Sequence, residues 1–236
     1  VPFLRPIFGN TISLTIAAAL RKLITLAYFV VVARYAGVNI TGLFYLVICY
    51  GSLFHVVIDL GLTRLFIRNA SRKPDRLDQR LSEVLSIKFL LAALGVVGTI
   101  GLLHWLQYPL ITNRLIYIVV VTIVLQSFAD TFYACFRALH NMRYEAAGMV
   151  AGKLVMLSLG GVAVLLGLSP YFLILALALD AMVNFLIGLY LVRRRLKLAL
   201  TFTFLPTLFV RNVSTAGPFA LSALFAQVYA FDGVVL

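Results

Sequence analysis

Seven apolar segments dominate this chain, and each is about as long as the hydrocarbon core of a bilayer is thick. They cover residues 11–33, 41–63, 84–106, 115–136, 146–168, 170–192 and 213–236. A helix rises about 1.5 Å per residue, so crossing about 30 Å of hydrocarbon takes roughly 20 apolar residues. Since 63% of the residues are hydrophobic and 12% are charged, a soluble domain could not hide so much apolar surface. The sequence therefore predicts an all-α polytopic membrane protein with about seven transmembrane helices.

The basic residues alternate between the connections, and this pattern predicts how the chain is oriented. The formal charge is +12, and the opposite connections carry only Arg34 and Arg114. Short loops rich in lysine and arginine remain in the cytoplasm, so we expect a cytoplasmic N-terminus. Such loops suit anionic lipid headgroups, so the charge indicates membrane lipids as partners and no nucleic acid. The basic connections hold Arg64, Arg68, Arg72, Lys73, Arg76 and Arg80, then Arg137 and Arg143, then Arg193, Arg194, Arg195, Lys197 and Arg211.

Within the first basic connection, residues 69–82 form the longest polar stretch of the chain. Pro74 should break any helix before it, and residues 75–85 could then form an amphipathic helix on the membrane surface. Lys88, near the cytoplasmic end of the third span, is expected to extend its ammonium group to the interface.

Span 1 carries charge near its middle, where burial in lipid costs at least a few kcal/mol. Helical spacing places Arg21, Thr25 and Tyr28 on one face, so Arg21 is expected to face a cavity. The alternatives are that Arg21 and Lys22 are ion-paired packing residues, or that the span begins later and both reach the interface.

Span 4 carries a polar stripe along one helical face, formed by Thr122, Gln126, Asp130, Tyr133 and Arg137. In a membrane this face must meet protein or water. The alternative to a cavity is hydrogen bonding between helices that holds the bundle together.

Spans 5 and 6 add Lys153, Asp180 and Asn184, the last two separated by one helical turn. An ionised carboxylate at Asp130 or Asp180 requires a cation, which could be a neighbouring side chain, Na⁺ or a proton. We therefore expect ion coupling at Asp130, Asp180 and Asn184, or else a fixed salt bridge to Arg21, Lys88 or Lys153. Gly148 and Gly152 form a small-xxx-small pattern that is typical of close helix packing.

No catalytic or metal-binding constellation is visible. His55, His104 and His140 lie far apart, and Cys49 and Cys135 have no metal-ligand spacing, so each is expected to be an interfacial or core residue. The sequence contains no P-loop. We therefore expect no enzyme activity, no metal and no cofactor.

Several stretches resemble a known family, and the resemblance covers nearly the whole chain. They are Asn10 with 33–37 and 42–44, residues 59–62 with Arg64 and Arg68, the turn at 136–145, and 216–221 with Tyr229 and 232–236. Together they resemble the O-antigen and lipid-linked oligosaccharide flippases of the multidrug/oligosaccharidyl-lipid/polysaccharide exporter superfamily. Phe231 departs from the polar or basic residue expected before Asp232.

The resemblance implies a two-lobed exporter of about twelve to fourteen helices with a central cavity that opens alternately to each side. Residues 1–197 would then form a six-helix lobe, and 198–236 a linker and the seventh helix, which begins a truncated second lobe. The implied location is the bacterial or archaeal cytoplasmic membrane, and other polysaccharide assembly proteins are further partners to consider.

The resemblance also implies a substrate, an undecaprenyl-diphosphate-linked oligosaccharide moved to the outer leaflet for O-antigen, capsule or exopolysaccharide synthesis. Cationic side chains suit its pyrophosphate, so we expect substrate contacts from Arg21, Thr25, Tyr28, Gln126 and Lys153. The alternatives are a cation-coupled multidrug or lipid II exporter of the same superfamily, a non-transporting polysaccharide assembly component, and a membrane-embedded transferase or polymerase. The short outer loops weigh against the last of these.

Overall fold

The computed structural model describes the backbone of residues 4–198, the side chains from residue 14 onward, and positions 217, 221, 222 and 225. Residues 4–198 fold into helices joined by short turns. A 3₁₀ turn at Pro74–Arg76 precedes the fourth helix, and a π turn at Val192–Leu196 follows the seventh. The α-helices are α1 (Leu4–Tyr35), α2 (Gly37–Asp59), α3 (Leu62–Arg72), α4 (Leu77–Leu106), α5 (Leu110–Ala138), α6 (Arg143–Leu165) and α7 (Pro170–Leu191).

All of these helices except α3 are long and apolar enough to cross a membrane, which gives six spans within the described residues. They correspond one to one with the first six predicted spans, so the all-α polytopic fold is confirmed. The seventh predicted span, 213–236, lies outside the described residues except at four isolated positions. The division into residues 1–197 and 198–236 therefore stays a prediction.

An amphipathic helix is present in the first basic connection, but it precedes Pro74 rather than following it. This helix, α3, buries Leu65 and Phe66 and exposes Arg64. The chain turns from α2 into α3 through Gly61, whose φ of 76° lies in the left-handed region that glycine tolerates best. A separate surface helix was predicted over 75–85, but residues 77–85 form the first turns of α4. Proline suits the start of a helix as well as its end, because the first turn does not use its missing N–H.

Helix α5 is the centre of the bundle. It packs against α2, α3, α4 and α7, while α6 packs against both α1 and α7. One apolar core lies toward the end with the short turns and includes Tyr28 and Phe44. A second core lies toward the end with the basic connections and includes Phe66 and Phe136. Between the two cores, the helices leave polar side chains facing a shared space.

Candidate functional site

Polar side chains from five helices line one cavity of about 440 Å³ within the membrane spans. Because lipid cannot satisfy these groups, their convergence on one space identifies it as the candidate site. Seven of the eight predicted site residues line it: Arg21, Thr25, Gln126, Asp130, Lys153, Asp180 and Asn184. The structure thus brings together residues from α1, α5, α6 and α7 that are far apart in sequence.

Tyr28 is the predicted site residue that the structure places elsewhere, so its assignment to the cavity is corrected. Its side chain is 1% exposed, and its hydroxyl donates to the backbone oxygen of Leu173 at 3.1 Å. Its ring packs edge-on against Phe44, with the centroids 6.1 Å apart. Tyr28 lies on the same face of α1 as Arg21, but two turns further toward the C-terminal end of the helix. At that level the face packs against α2, α6 and α7 in the apolar core.

Asp180 belongs to a tight polar cluster between α6 and α7. Its carboxylate accepts from the Lys153 ammonium group at 2.5 Å and from the Asn184 amide at 2.9 Å. The hydroxyl of Tyr133 on α5 donates to the Asn184 backbone oxygen at 3.2 Å, which ties a third helix to this cluster. Of the two alternatives for Asp180, the structure therefore contains the salt bridge to Lys153.

Asp130 has a different environment, since no lysine or arginine within the described part of the chain is bonded to its carboxylate. Gln126, one turn earlier on α5, donates to one carboxylate oxygen at 2.9 Å. The other oxygen lies 3.4 Å from Nε2 of His55 on α2. This histidine carries charge only when protonated, so Asp130 is paired with a group that can itself gain or lose a proton.

A second polar chamber of about 360 Å³ continues from the cavity toward the basic end. The two spaces share Arg21, His55, Asp130 and Met149. Arg137 and Glu145 line the second chamber, with Nε and Oε2 separated by 3.2 Å, although the pair is not aligned as a hydrogen bond. This ion pair joins the end of α5 to the start of α6. The chamber also contains Asp59 and Arg64, at the point where α2 turns into α3.

Lys88 does not reach the interface, which corrects the expectation from sequence. Its side chain is fully buried, and the ammonium group lies 2.7 Å from the carboxylate of Asp59. It also donates to the Thr63 hydroxyl at 2.8 Å, and to the backbone oxygen and the hydroxyl of Ser127 at 3.1 Å each. Thr63 in turn donates to Asp59. This cluster connects α2, α3, α4 and α5 beside the second chamber.

Arg21 differs from the other cations around the cavity. Lys88, Lys153 and Arg137 each face a carboxylate within 3.2 Å. In the part of the chain that the structure describes, the Arg21 guanidinium forms neither an ion pair nor a hydrogen bond. It lines both chambers, so its donors face the polar space itself. The arrangement can therefore bind an anion at Arg21 without breaking an existing salt bridge.

Sequence reasoning missed three residues that line these chambers. His55 was interpreted as an isolated histidine, yet His55 and Asp59 lie one turn apart on the same face of α2. That spacing was a usable signal for His55 and Asp59. Glu145 sits in a predicted turn, and only the fold shows that it meets Arg137. Among the described residues, no group of three His, Cys, Asp or Glu side chains could hold a metal ion.

Two comparisons with known proteins give a family and a fold for this chain. A family model described as polysaccharide biosynthesis protein matches residues 7–236. Among solved structures, the chain is similar to the outward-facing conformation of a multidrug resistance MATE family transporter of the MOP superfamily, with a TM-score of 0.65 and 17% identity. The match covers 96% of this chain and 54% of that one, so this chain spans about half the length of the transporter. Identity this low shows a shared fold. No curated protein matches the sequence.

Proposed function

This chain belongs to the polysaccharide biosynthesis protein family, and from that premise we propose that it is the cavity-bearing part of a flippase. The proposed substrate is an undecaprenyl-diphosphate-linked oligosaccharide, which the protein moves across the bacterial or archaeal cytoplasmic membrane by alternating access. The chain performs no covalent step in this proposal. The polysaccharide family and the exporter-like fold support a membrane exporter of this kind.

One observation carries the choice of substrate: Arg21 lies in a polar cavity inside the membrane spans and has no ion pair or side-chain hydrogen bond with any residue that the structure describes. The Arg21 side chain is partly shielded from solvent, and a guanidinium in such a setting attracts anions more strongly than in water, because less water competes for it. Its planar group of donors matches two oxygens of a phosphate. A pyrophosphate that links a lipid to a sugar is an anion of this type and enters the protein from the membrane.

The neighbouring polar groups suit the sugar side of such a substrate. Thr25, Gln126 and Asn184 place neutral hydroxyl and amide groups on the walls of the same cavity. Lys153 is already bonded to Asp180, so its ammonium group is less available to a substrate than the Arg21 guanidinium. We propose that Arg21 holds the pyrophosphate and that the neutral groups contact the first sugar residue.

The positions of the basic residues support a particular orientation of the protein in the membrane. Arg64 and Arg68 in α3, Arg137 and Arg143 at the α5–α6 turn, and the arginines after α7 all lie at the same end of the bundle. The other end carries only short turns. By the positive-inside rule, we propose that the basic end, with the N-terminus, faces the cytoplasm. The second polar chamber would then open toward the side where the lipid-linked sugar is made.

The test replaces Arg21 in the complete gene product, expressed in cells that lack their own flippase. Arg21→Ala should lower surface polysaccharide at least tenfold while the amount of protein in the membrane stays normal. The magnitude follows from the loss of charged hydrogen bonds, each worth about 1.5–3 kcal/mol. Arg21→Lys should keep part of the activity, because the charge survives while the fork of donors is lost.

The adjacent Lys22 provides a matched control, because it is exposed and does not line either chamber. Lys22→Ala removes the same charge from the same helix turn and should leave export unchanged. Wild-type export by Arg21→Ala, or equal losses at both positions, would remove Arg21 from the substrate site. If purified protein with an intact Arg21 bound drugs but not pyrophosphate-linked isoprenoid lipids, the multidrug alternative would replace this proposal.

A further inference from the structure

A long apolar groove lies on the side of the bundle formed by α4, α5 and α7, and the proposed transport does not use it. Its volume is about 680 Å³, within the range of binding sites for small molecules. None of its lining residues lines the polar cavity or the second chamber. The groove is therefore a separate feature from the two polar spaces.

The shape of the groove follows from the spacing of its residues. Phe185, Leu189 and Arg193 lie one turn apart along one face of α7. Phe128 and Phe132 form the floor on α5, and the Phe132 ring lies 5.7 Å from that of Phe185. Helix α5 packs against both α4 and α7, so these two helices form the walls.

Small residues on α4 keep the groove open. Ala92 and Ala93 line it between the larger Phe89 and Val96. Lining residues run from Leu85 to Val96, a rise of roughly 16 Å at 1.5 Å per residue. This length is about half of the roughly 30 Å hydrocarbon core. The groove therefore runs from the basic end of the bundle to the middle of the membrane, the depth of a single leaflet.

A basic residue stands at one end of this apolar groove. Arg193 lines it, is exposed, and has no hydrogen bond or ion pair with any residue that the structure describes. The next two arginines are engaged with tyrosines. Arg194 donates to the Tyr190 hydroxyl at 2.6 Å, and the Arg195 guanidinium lies 6.0 Å from the centroid of the Tyr144 ring. Only one arginine of this consecutive triplet is therefore presented to an occupant of the groove.

We propose that this groove binds one acyl chain of an anionic phospholipid, with the lipid phosphate on Arg193. The apolar walls match the chain, the length matches one leaflet, and the cation lies at headgroup depth. Under the proposed orientation, this is the cytoplasmic leaflet. The lipid is a separate ligand from the transported one, because a polyprenyl chain would extend far beyond a groove of this length.

Quenching of a tryptophan in the groove by brominated lipid tests the proposal without any transport measurement. The chain has one tryptophan, Trp105, at the opposite end of α4. Phe89→Trp in a Trp105→Phe background places the reporter in the groove. The complete protein is reconstituted in phosphatidylcholine vesicles, and either phosphatidylglycerol or phosphatidylcholine brominated at mid-chain is added. We expect phosphatidylglycerol to bind about fivefold more tightly, the effect of one basic side chain near an anionic headgroup.

Matched variants separate this site from a general effect of surface charge. Arg193→Gln should abolish the preference for phosphatidylglycerol, Arg193→Lys should retain it, and Arg194→Gln should leave it unchanged. Ala93→Phe should fill the groove and reduce quenching by both lipids. Leu94→Phe, on the exposed neighbouring position outside the groove, should not. Monodisperse elution of each variant shows that it has folded.

Three results would overturn the proposal. Equal quenching by the two lipids in the reporter protein would show that Arg193 selects no headgroup. If Arg193→Gln and Arg194→Gln reduced the preference for phosphatidylglycerol equally, the preference would come from the overall charge of the basic end and not from Arg193. Absence of quenching by either lipid would show that another part of the protein, or a partner protein, covers the groove.

Discussion

Two intramembrane carboxylates have the same charge but different partners, and this difference separates their roles. Asp180 is bonded to Lys153 and Asn184, so its charge is neutralised by a fixed group of the protein. Asp130 is bonded to Gln126 and lies beside His55, whose charge depends on protonation. Removing one partner of a buried salt bridge is costly, because the other charge is left unpaired. Replacing both partners with neutral side chains is tolerated. We therefore infer that Asp130, rather than Asp180, is the better candidate for coupling to an ion.

We predict that Asp130→Asn abolishes the dependence of transport on an imposed ion gradient. The amide can neither bind a proton nor balance a cation, so ion occupancy can no longer shift the equilibrium between the two states. The measurement is uptake of lipid-linked oligosaccharide by proteoliposomes with and without a proton or sodium gradient. The double variant Lys153→Met with Asp180→Asn should keep its gradient dependence, since it removes a neutralised pair. Unchanged dependence in Asp130→Asn would leave Asp130 with a packing role.

At the scale of the helix, close packing of α6 depends on glycines. A Cβ on Gly148 would overlap the hydroxyl of Tyr133, and a Cβ on Gly152 would overlap the side chains of Asp180 and Asn184. The predicted small-xxx-small pattern is thus a packing surface that lets α6 approach α5 and α7. Gly161, on the same helix, faces open space.

We predict that Gly148→Ala destabilises the protein by about 1–3 kcal/mol, the usual cost of overpacking a filled core. Tyr133→Phe removes the oxygen that the new methyl group meets, so it should rescue part of the loss in Gly148→Ala and none in Gly152→Ala. Gly161→Ala is the control and should unfold no earlier than the wild type. Thermal unfolding in detergent provides the measurement, and equal destabilisation at Gly148 and Gly161 would refute the steric argument.

Helix boundaries show where sequence reasoning succeeded and where it failed. Hydropathy located six spans, because the cost of exposing polar groups to lipid dominates every local preference. It placed the start of the third span at 84, whereas α4 begins at Leu77. With a start at 84, Lys88 was expected near the end of the helix and at the membrane interface. In the structure it lies about three turns inside α4 and forms a buried ion pair. The contact with Asp59 depends on how α2 turns into α3, which hydropathy does not describe.

At the scale of the whole molecule, the sequence predicted the composition of the polar site better than its pairing. Polar and charged side chains within spans were identified because lipid excludes them, and seven of them line one cavity. Which of them pair depends on the rotation and depth of neighbouring helices, and no spacing within a single helix reports these. Tyr28 illustrates the same point, since a shared helical face does not tell how far along it a cavity extends.

The arrangement of the basic connections at one end of the bundle predicts the sidedness of the whole protein. Single cysteines are introduced at Ser71, Asn141 and Lys197, which are all exposed, after replacement of Cys49 and Cys135. An impermeant thiol reagent should fail to label them in intact cells and should label them once the membrane is opened. Val38→Cys, exposed at the start of α2, and Ser169→Cys, exposed in the α6–α7 turn, lie at the opposite end and should react in intact cells. Labelling of 71, 141 and 197 from outside, with 38 and 169 protected, would reverse the orientation and place the second polar chamber and the lipid groove on the outer side.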